Sequence, residues 1–383
     1  MNNRAGTFID TGLGYKTFLP CSLPPNPGIL IDTEMQQLLS LADRKLGRLD
    51  GITQVIPNPN LFVAMYVRKE AVLSSQIEGT QASFVDVLGA EYNLANDQQR
   101  DDIGEISNYV HAMNWGLSEL ENLPLSLRLI RSIHQKLLSG TRGDSRNPGE
   151  FRQSQNWIGP AGCTLKTATF VPPSVPDMKD ALGDLEKYFY KEDGLPALIK
   201  IALIHAQFES IHPFLDGNGR IGRLLITFWL CQQQILSKPL LYLSYYFKQH
   251  RSDYYDLLMK VRKEGAWEDW IKFFLKGVAS VSDEAVNTAK SIITLKDSLS
   301  SSISNLDSKN SYYRILLDHL FDVPFVTRSE VVQILSVSNP TAGSIIDTFV
   351  DLGILQDVSP DRKRNKLYKF SKYIDILQEG TEI

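Results

Sequence analysis

The residues of this 383-residue chain whose types and spacing could do chemistry stand together in residues 211–223, which read IHPFLDGNGRIGR. His212 closes a helical run, Pro213 and Phe214 break it, and Gly217, Asn218 and Gly219 lead straight into the next run. Backbone N–H groups at a helix start form an anion site, because the first four have no intrahelical acceptor and the macrodipole is positive there. Arg220 and Arg223 open the same helix, where the dipole disfavours a cation by about 0.3–1 kcal/mol. Two arginines in that place call for a larger anion. A nucleoside triphosphate is one, and the guanidinium fork suits its oxygens. Asp216 is the only acid of the stretch, and a carboxylate beside phosphates is a usual ligand for Mg²⁺. His212 is the group that titrates near neutral pH, suited to take a proton from an incoming hydroxyl.

These groups need elements to hold them. Apolar residues recur at helical spacing over residues 33–47, 60–77, 103–120, 126–138, 178–190, 198–210 and 221–235. Residues 149–173 interrupt the pattern: Trp157, Ile158, Thr164, Leu165, Thr169 and Phe170 flank a Gly-Pro-Ala-Gly turn, which predicts a β-hairpin. After Trp270 a helix runs toward residue 293, and Ser298, Ser300, Ser301, Ser302, Ser304 and Ser308 then mark a linker. Helices are expected at 312–320, 328–335 and 340–352, followed by two strands around a basic turn in 354–369. That order is a winged helix with its third helix in the recognition position. The expected fold is mainly α, a helical domain with a short β-hairpin flap plus a C-terminal winged-helix domain. Its divisions are 1–110, a catalytic core at 111–295, a linker at 296–309 and the winged helix at 310–383.

Composition narrows the setting without naming a partner. The sequence is 43% hydrophobic and 22% charged with a net charge of −4, an ordinary globular balance with no global attraction to nucleic acid or an anionic membrane. Three widely spaced cysteines, Cys21, Cys163 and Cys231, argue against a disulfide framework or structural zinc and predict a reducing, cytoplasmic setting. The first thirty residues lack a basic start followed by an apolar run, and neither export nor a membrane anchor is expected. The basic run at 362–366 invites DNA, yet from Asn310 onward eight Lys/Arg face ten Asp/Glu, a poor balance for neutralising phosphates. Protein recognition or assembly into a homodimer is the expected role of the tail. His111, His134, His205, His250 and His319 show no ligand spacing and read as surface or satisfied residues.

The 211–223 stretch resembles the signature of the Fic family, His-Pro-Phe-x-Asp/Glu-Gly-Asn-Gly/Lys-Arg-x-x-Arg, at every specified position. The resemblance covers about residues 15–280. It implies a protein adenylyltransferase that moves AMP from ATP to a hydroxyl side chain (Ser, Thr or Tyr) of a protein. It implies further that His212 is the base, that Asp216 holds Mg²⁺ and that Gly217, Asn218 and Gly219 form the anion hole. Arg220 and Arg223 would bind phosphates, with Ile221 and Gly222 in the same nucleotide-binding stretch.

By the same resemblance, the flap at 149–173 aligns a protein target by its backbone, self-modification being one outcome, and Tyr254 and Tyr255 correspond to a pair that lines the adenine pocket. Arg262 departs from the pattern, since some members have Asn there. Ser74, Glu78 and Gly79 fit the family's Ser/Thr-x-x-x-Glu-Gly/Asn inhibitory pattern. Gly79 would stop a helix, leaving Glu78 at a C-terminus where the dipole disfavours it, so a pair with the misplaced Arg223 relieves both. The scaffold also admits AMP removal or transfer of another phosphate-containing group, and a DNA-binding regulator with a vestigial core is the alternative from a different class. The Gly219-Arg220 pair and the complete anion hole favour AMP transfer.

Overall fold

Fourteen consecutive buried residues, Leu198 through Ile211, make one helix the axis of the protein. The computed structural model describes residues 4–52, 59–90, 97–304, 306, 310–359 and 366–382. The axial helix α7 (Ala197–Ile211) packs against α8 (Asn218–Gln232), and the two join through the IHPFLDGNGRIGR stretch. Gly222 permits the contact, since a Cβ there would meet Glu209 Oε1 at 2.4 Å.

Around this pair stand α2 (Pro59–Ile77), α3 (Phe84–Gly89), α4 (Asp97–Glu119), α5 (Leu127–Leu138), α6 (Val175–Phe189), α9 (Ser244–Gln249) and α10 (Arg251–Glu264). The long α11 (Trp267–Ser304) packs along α1 (Thr33–Ile52). Local sequence sets several starts: Ser126 and Ser174 cap α5 and α6 by accepting the N–H of Leu129 and Asp177. The expected helices are present, most within a few residues of the expected bounds. The first runs five residues further, to Ile52.

Three expectations change. The 149–173 hairpin is reduced to one antiparallel bridge, in which Ile158 and Phe170 exchange N–H···O bonds of 2.8 and 3.0 Å. Pro160, Pro172 and Pro173 have no N–H to extend a ladder. Further support comes from Gln155 Nε2, which donates to Pro172 O at 3.0 Å, and from an N-terminal hairpin that the sequence does not announce, β1 (Gly6–Asp10) with β2 (Lys16–Pro20). Phe18 N–H donates to Val171 O at 3.0 Å, and the Phe18 ring lies 5.8 Å from that of Phe170.

The serine-rich linker is a helix as far as Ser304. Ser301, Ser302 and Ser304 donate to carbonyls four residues back, while Leu299 and Ile303 bury the inner face. Residues 305 and 307–309 of the expected linker lie outside the described residues.

The tail has the expected helices as α12 (Asn310–Asp322), α13 (Arg328–Leu335) and α14 (Asn339–Asp351). It also has a strand that the sequence did not announce, β3 (Phe325–Thr327), in a sheet ordered β3-β5-β4 with β5 (Leu367–Lys369) and β4 (Gln356–Asp357). A further helix, α15 (Ser371–Gln378), follows the sheet and packs on α2, α3 and α11. Most of the basic run, residues 362–365, lies outside the described residues. No helix among the described residues is long and apolar enough to cross a membrane.

Candidate active site

The end of α7 is held in a conformation that its sequence does not favour. His212 sits at φ 48°, ψ 61°, left-handed backbone that a residue with a Cβ adopts at a cost. Its carbonyl is gripped from the flap side: Arg152 Nε donates at 3.1 Å and Asn156 Nδ2 at 3.2 Å. Arg152 N–H also donates to Pro213 O at 2.9 Å. The Nδ1 atom of His212 is buried and has no hydrogen-bond partner among the described residues. That leaves Nε2 as the nitrogen open to a reactant. Burial, then the Arg262 and Arg152 charges, push the imidazole down to about 3, so it is neutral at physiological pH.

After His212 the chain turns on Asn218, whose side chain accepts from Phe214 N–H and donates to Phe214 O, both at 2.8 Å. Gly217 takes φ 76°, and α8 starts immediately after it. The first-turn N–H groups of α8 therefore point out of the helix with no intrahelical acceptor. Asn218 thus shapes the anion loop with its side chain and can offer an anion only its backbone. Ile221 and Gly222, expected in the nucleotide-binding stretch, face the interior: Ile221 is buried, and Gly222 lies against Glu209 while its carbonyl is 2.9 Å from His205 Nδ1. Packing between α7 and α8 accounts for both.

Asp216 is the exposed carboxylate of the loop, its side chain 44% accessible. Oδ1 accepts from Gly217 N–H at 2.6 Å and from Arg220 Nη2 at 3.4 Å. Arg220 is buried and also pairs with Glu105 of α4 at 3.3 Å. It was expected to face a phosphate; here its Nη groups orient Asp216 and pair with Glu105, because α4 brings an acid beside it. The donor set fits Mg²⁺ arriving with a nucleotide: one hard, accessible carboxylate, with no group of three or more His, Cys, Asp or Glu side chains placed to hold an ion among the described residues.

Arg223 is 3% exposed and engages the end of α2 completely. Nε donates to Ser74 Oγ at 2.7 Å, and Nη2 donates to Ser74 O at 2.9 Å and to Glu78 Oε1 at 2.8 Å. As expected, α2 stops at Ile77 and Gly79 takes φ 103°. Glu78 reaches over the anion loop itself, since a Cβ on Gly219 would meet Glu78 Oε1 at 2.3 Å. The Glu78 carboxylate thus lies beside Gly219 in the first turn of α8.

Of the tyrosine pair, Tyr254 is 1% exposed and its hydroxyl lies 3.0 Å from His205 Nε2, so its ring belongs to the core and is not a stacking surface. The cause is helical phase: Tyr254 shares the buried face of α10 with Leu258 and Val261. Tyr255 keeps a partly exposed ring, 5.3 Å from the Arg251 guanidinium.

Two residues escaped the sequence reading. His134 of α5 accepts Gly149 N–H at Nδ1 (2.8 Å), lies 3.0 Å from Asp216 O at Nε2, and stacks on Phe214 at 3.7 Å. An Nδ1 acceptor fixes the proton on Nε2, which therefore donates to the loop carbonyl. Burial keeps this imidazole down at about 4. Arg152 was seen only as part of the flap. Neither has a spacing signal, because each acts across elements distant in sequence.

Comparison with known proteins gives this arrangement its setting. Residues 36–118 match the Fic/DOC family N-terminal region and residues 124–230 match the Fic/DOC family. The protein adenylyltransferase Fic of Drosophila grimshawi is 30% identical over 176 residues, 45% of this chain and 33% of that protein. The protein adenylyltransferase Fic of Aedes aegypti is 32% identical over 151 residues, 39% of this chain and 27% of that protein. The chain thus spans about a third or less of the length of these relatives. A Fic family protein from Desulfovibrio desulfuricans G20 shares the fold over 89% of this chain and 97% of its own, with a TM-score of 0.58 at 18% identity. A Fic domain containing signaling protein from Bacteroides thetaiotaomicron gives a TM-score of 0.50 at 19% identity over 67% of this chain and 97% of its own.

Proposed function

Because the chain belongs to the Fic/DOC family through residues 36–118 and 124–230, we propose that it is a protein adenylyltransferase held in check by Glu78. The observation that carries this reading is the Glu78 carboxylate seated on Arg223 above Gly219, an internal anion in a site formed for anions. When the triphosphate displaces it, the N–H groups of α8 and the freed Arg223 receive phosphate oxygens. Mg²⁺ held by Asp216 would neutralise phosphate charge. A hydroxyl of the target, laid along the flap by main-chain pairing, gives its proton to His212 as its oxygen bonds to the α-phosphorus. The bond from that phosphorus to the bridging oxygen breaks, pyrophosphate leaves, and AMP remains on the target. The open Nε2 and the clamped His212 carbonyl support this role for the base.

Intact mass after incubation with ATP and Mg²⁺ tests the proposal. Glu78→Gly should gain AMP on itself about tenfold or more faster than wild type, since a charge-assisted contact is worth about 1.5–3 kcal/mol and each 1.4 kcal/mol is tenfold. His212→Ala in the same background should lose about 10²–10⁴ in rate with ATP still bound. A Glu78→Gly protein no faster than wild type at saturating ATP would refute the inhibitory role. Full activity without His212 would refute the base.

A further inference from the structure

Arg262 stands where some members of the family have Asn, and it is 4% exposed, too deep to line a nucleotide pocket. It sits in the last turn of α10, and its guanidinium is wedged between two parts of the site. On one side Nη2 donates to Glu209 O at 2.9 Å and Nε donates to Ser210 Oγ at 3.1 Å, in the last turn of α7 just before His212. On the other side it covers the Phe170 ring at 4.1 Å. Phe170 forms the flap's antiparallel bridge with Ile158 and packs on the N-terminal hairpin through Phe18. One side chain therefore touches both the helix end that carries the base and the flap residue that sets the height of the target-aligning edge.

We propose that Arg262 is a positioning residue that locks the flap to the base-bearing end of α7, so that a hydroxyl aligned on the flap meets His212 at a fixed distance. The inference rests on the adenylyltransferase reading and adds a residue to it. The energetic logic is that a carbonyl in the last turn of a helix lacks an intrahelical donor, and a planar cation can satisfy it while stacking on an aromatic face. Lysine could do the first, but it has no planar group to lay flat on the ring. The groups facing His212 are Arg262 from α10, Arg152 from the flap arm, and the backbone carbonyl of Glu209 on its own helix. Removing the Arg262 charge takes away one of the two cations that disfavour imidazolium.

The test uses the full chain with Glu78→Gly, comparing Arg262→Lys and Arg262→Met. It reads ATP affinity by calorimetry, self-labelling by α-labelled ATP, amide exchange at Ile158 and Phe170, and the His212 titration by NMR. For Arg262→Met we expect ATP affinity within about twofold, self-labelling down by about tenfold or more, faster exchange at both flap amides and His212 titrating closer to 6.5. Arg262→Lys should hold the titration near that of the parent while leaving the flap amides unprotected. Where Arg262→Met does not fold, Arg262→Gln, which keeps a donor for Glu209 O, and Phe170→Leu, which removes the stacked face, are read the same way. Flap exchange and His212 titration unchanged in a folded variant would overturn the proposal and leave Arg262 a packing residue. A parent that does not label itself would count against AMP transfer alone, because exchange and titration still decide the role of Arg262.

Discussion

At Arg223 one guanidinium meets Ser74 Oγ, Ser74 O and Glu78 Oε1, so the two ends of the ion pair are not equivalent. Removing Glu78 leaves the arginine in place with two contacts and a free fork. Removing the arginine frees Glu78 but deletes a phosphate ligand and leaves Ser74 without its donor. Arg223→Ala should therefore lower self-labelling below wild type, the opposite sign to Glu78→Gly; a gain in both would refute a phosphate role for Arg223. Asp216→Ala removes the accessible carboxylate and the acceptor for Gly217 N–H together. Its self-labelling in the Glu78→Gly background should fall and no longer respond to Mg²⁺ titration, whereas an unchanged metal response would show that another group holds the ion.

Among elements, the flap is held partly by a neighbour. It has a single bridge of its own, and its second arm is held by β2 through Phe18 N–H and the Phe18 ring, which is 1% exposed. Phe18→Ala should cost about 3–5 kcal/mol of local stability, as large-to-small changes at buried aromatic sites do. The consequence expected in the Glu78→Gly background is reduced self-labelling with ATP affinity retained, since the nucleotide loop lies on α8 and the target edge on the flap. Calorimetry beside a labelling time course checks this, and unchanged labelling would mean that the N-terminal hairpin does not support the flap during transfer.

For the whole molecule, the tail is docked against α2. Gln76, one turn from the Glu78 end of α2, donates from Nε2 to Thr381 O at 3.1 Å and accepts from Lys248 Nζ at 2.8 Å. Deleting residues 380–383 should loosen this turn and raise self-labelling above wild type but below Glu78→Gly. A rate equal to wild type would show that the clamp does not restrain Glu78. Acid stability is also a property of the whole chain. Burial holds His134 at about 4 and His205 and His212 at about 3, against 6.5 when unfolded, so each costs stability as pH falls below 6.5. Burial raises Glu70 and Glu209 to about 7 from 4.5, so each adds stability between pH 7 and 4.5 and nothing further below. Three losses against two gains predict a shallow decline of the thermal midpoint to about pH 4.5 and a steep one beneath it. A midpoint that falls steeply from pH 6.5 would contradict this balance.

The 211–223 string by itself determined the helix–loop–helix, the turn on Gly217 and the exposed Asp216 carboxylate, because each follows from contacts within a dozen residues. The pairing of Glu78 with Arg223 was also legible, since each residue is misplaced on its own helix and the misplacements have opposite charge. What the sequence could not fix were contacts chosen by packing. Arg220 turned to Glu105, Tyr254 rotated into the core, and His134, Arg152 and Arg262 became struts of the site without any local pattern. The serine stretch looked like a linker by composition, yet Leu299 and Ile303 bury one face and hold it helical to Ser304. Propensity and periodicity record what a segment prefers alone, whereas these outcomes depend on which surface another segment, tens of residues or more away, brings against it.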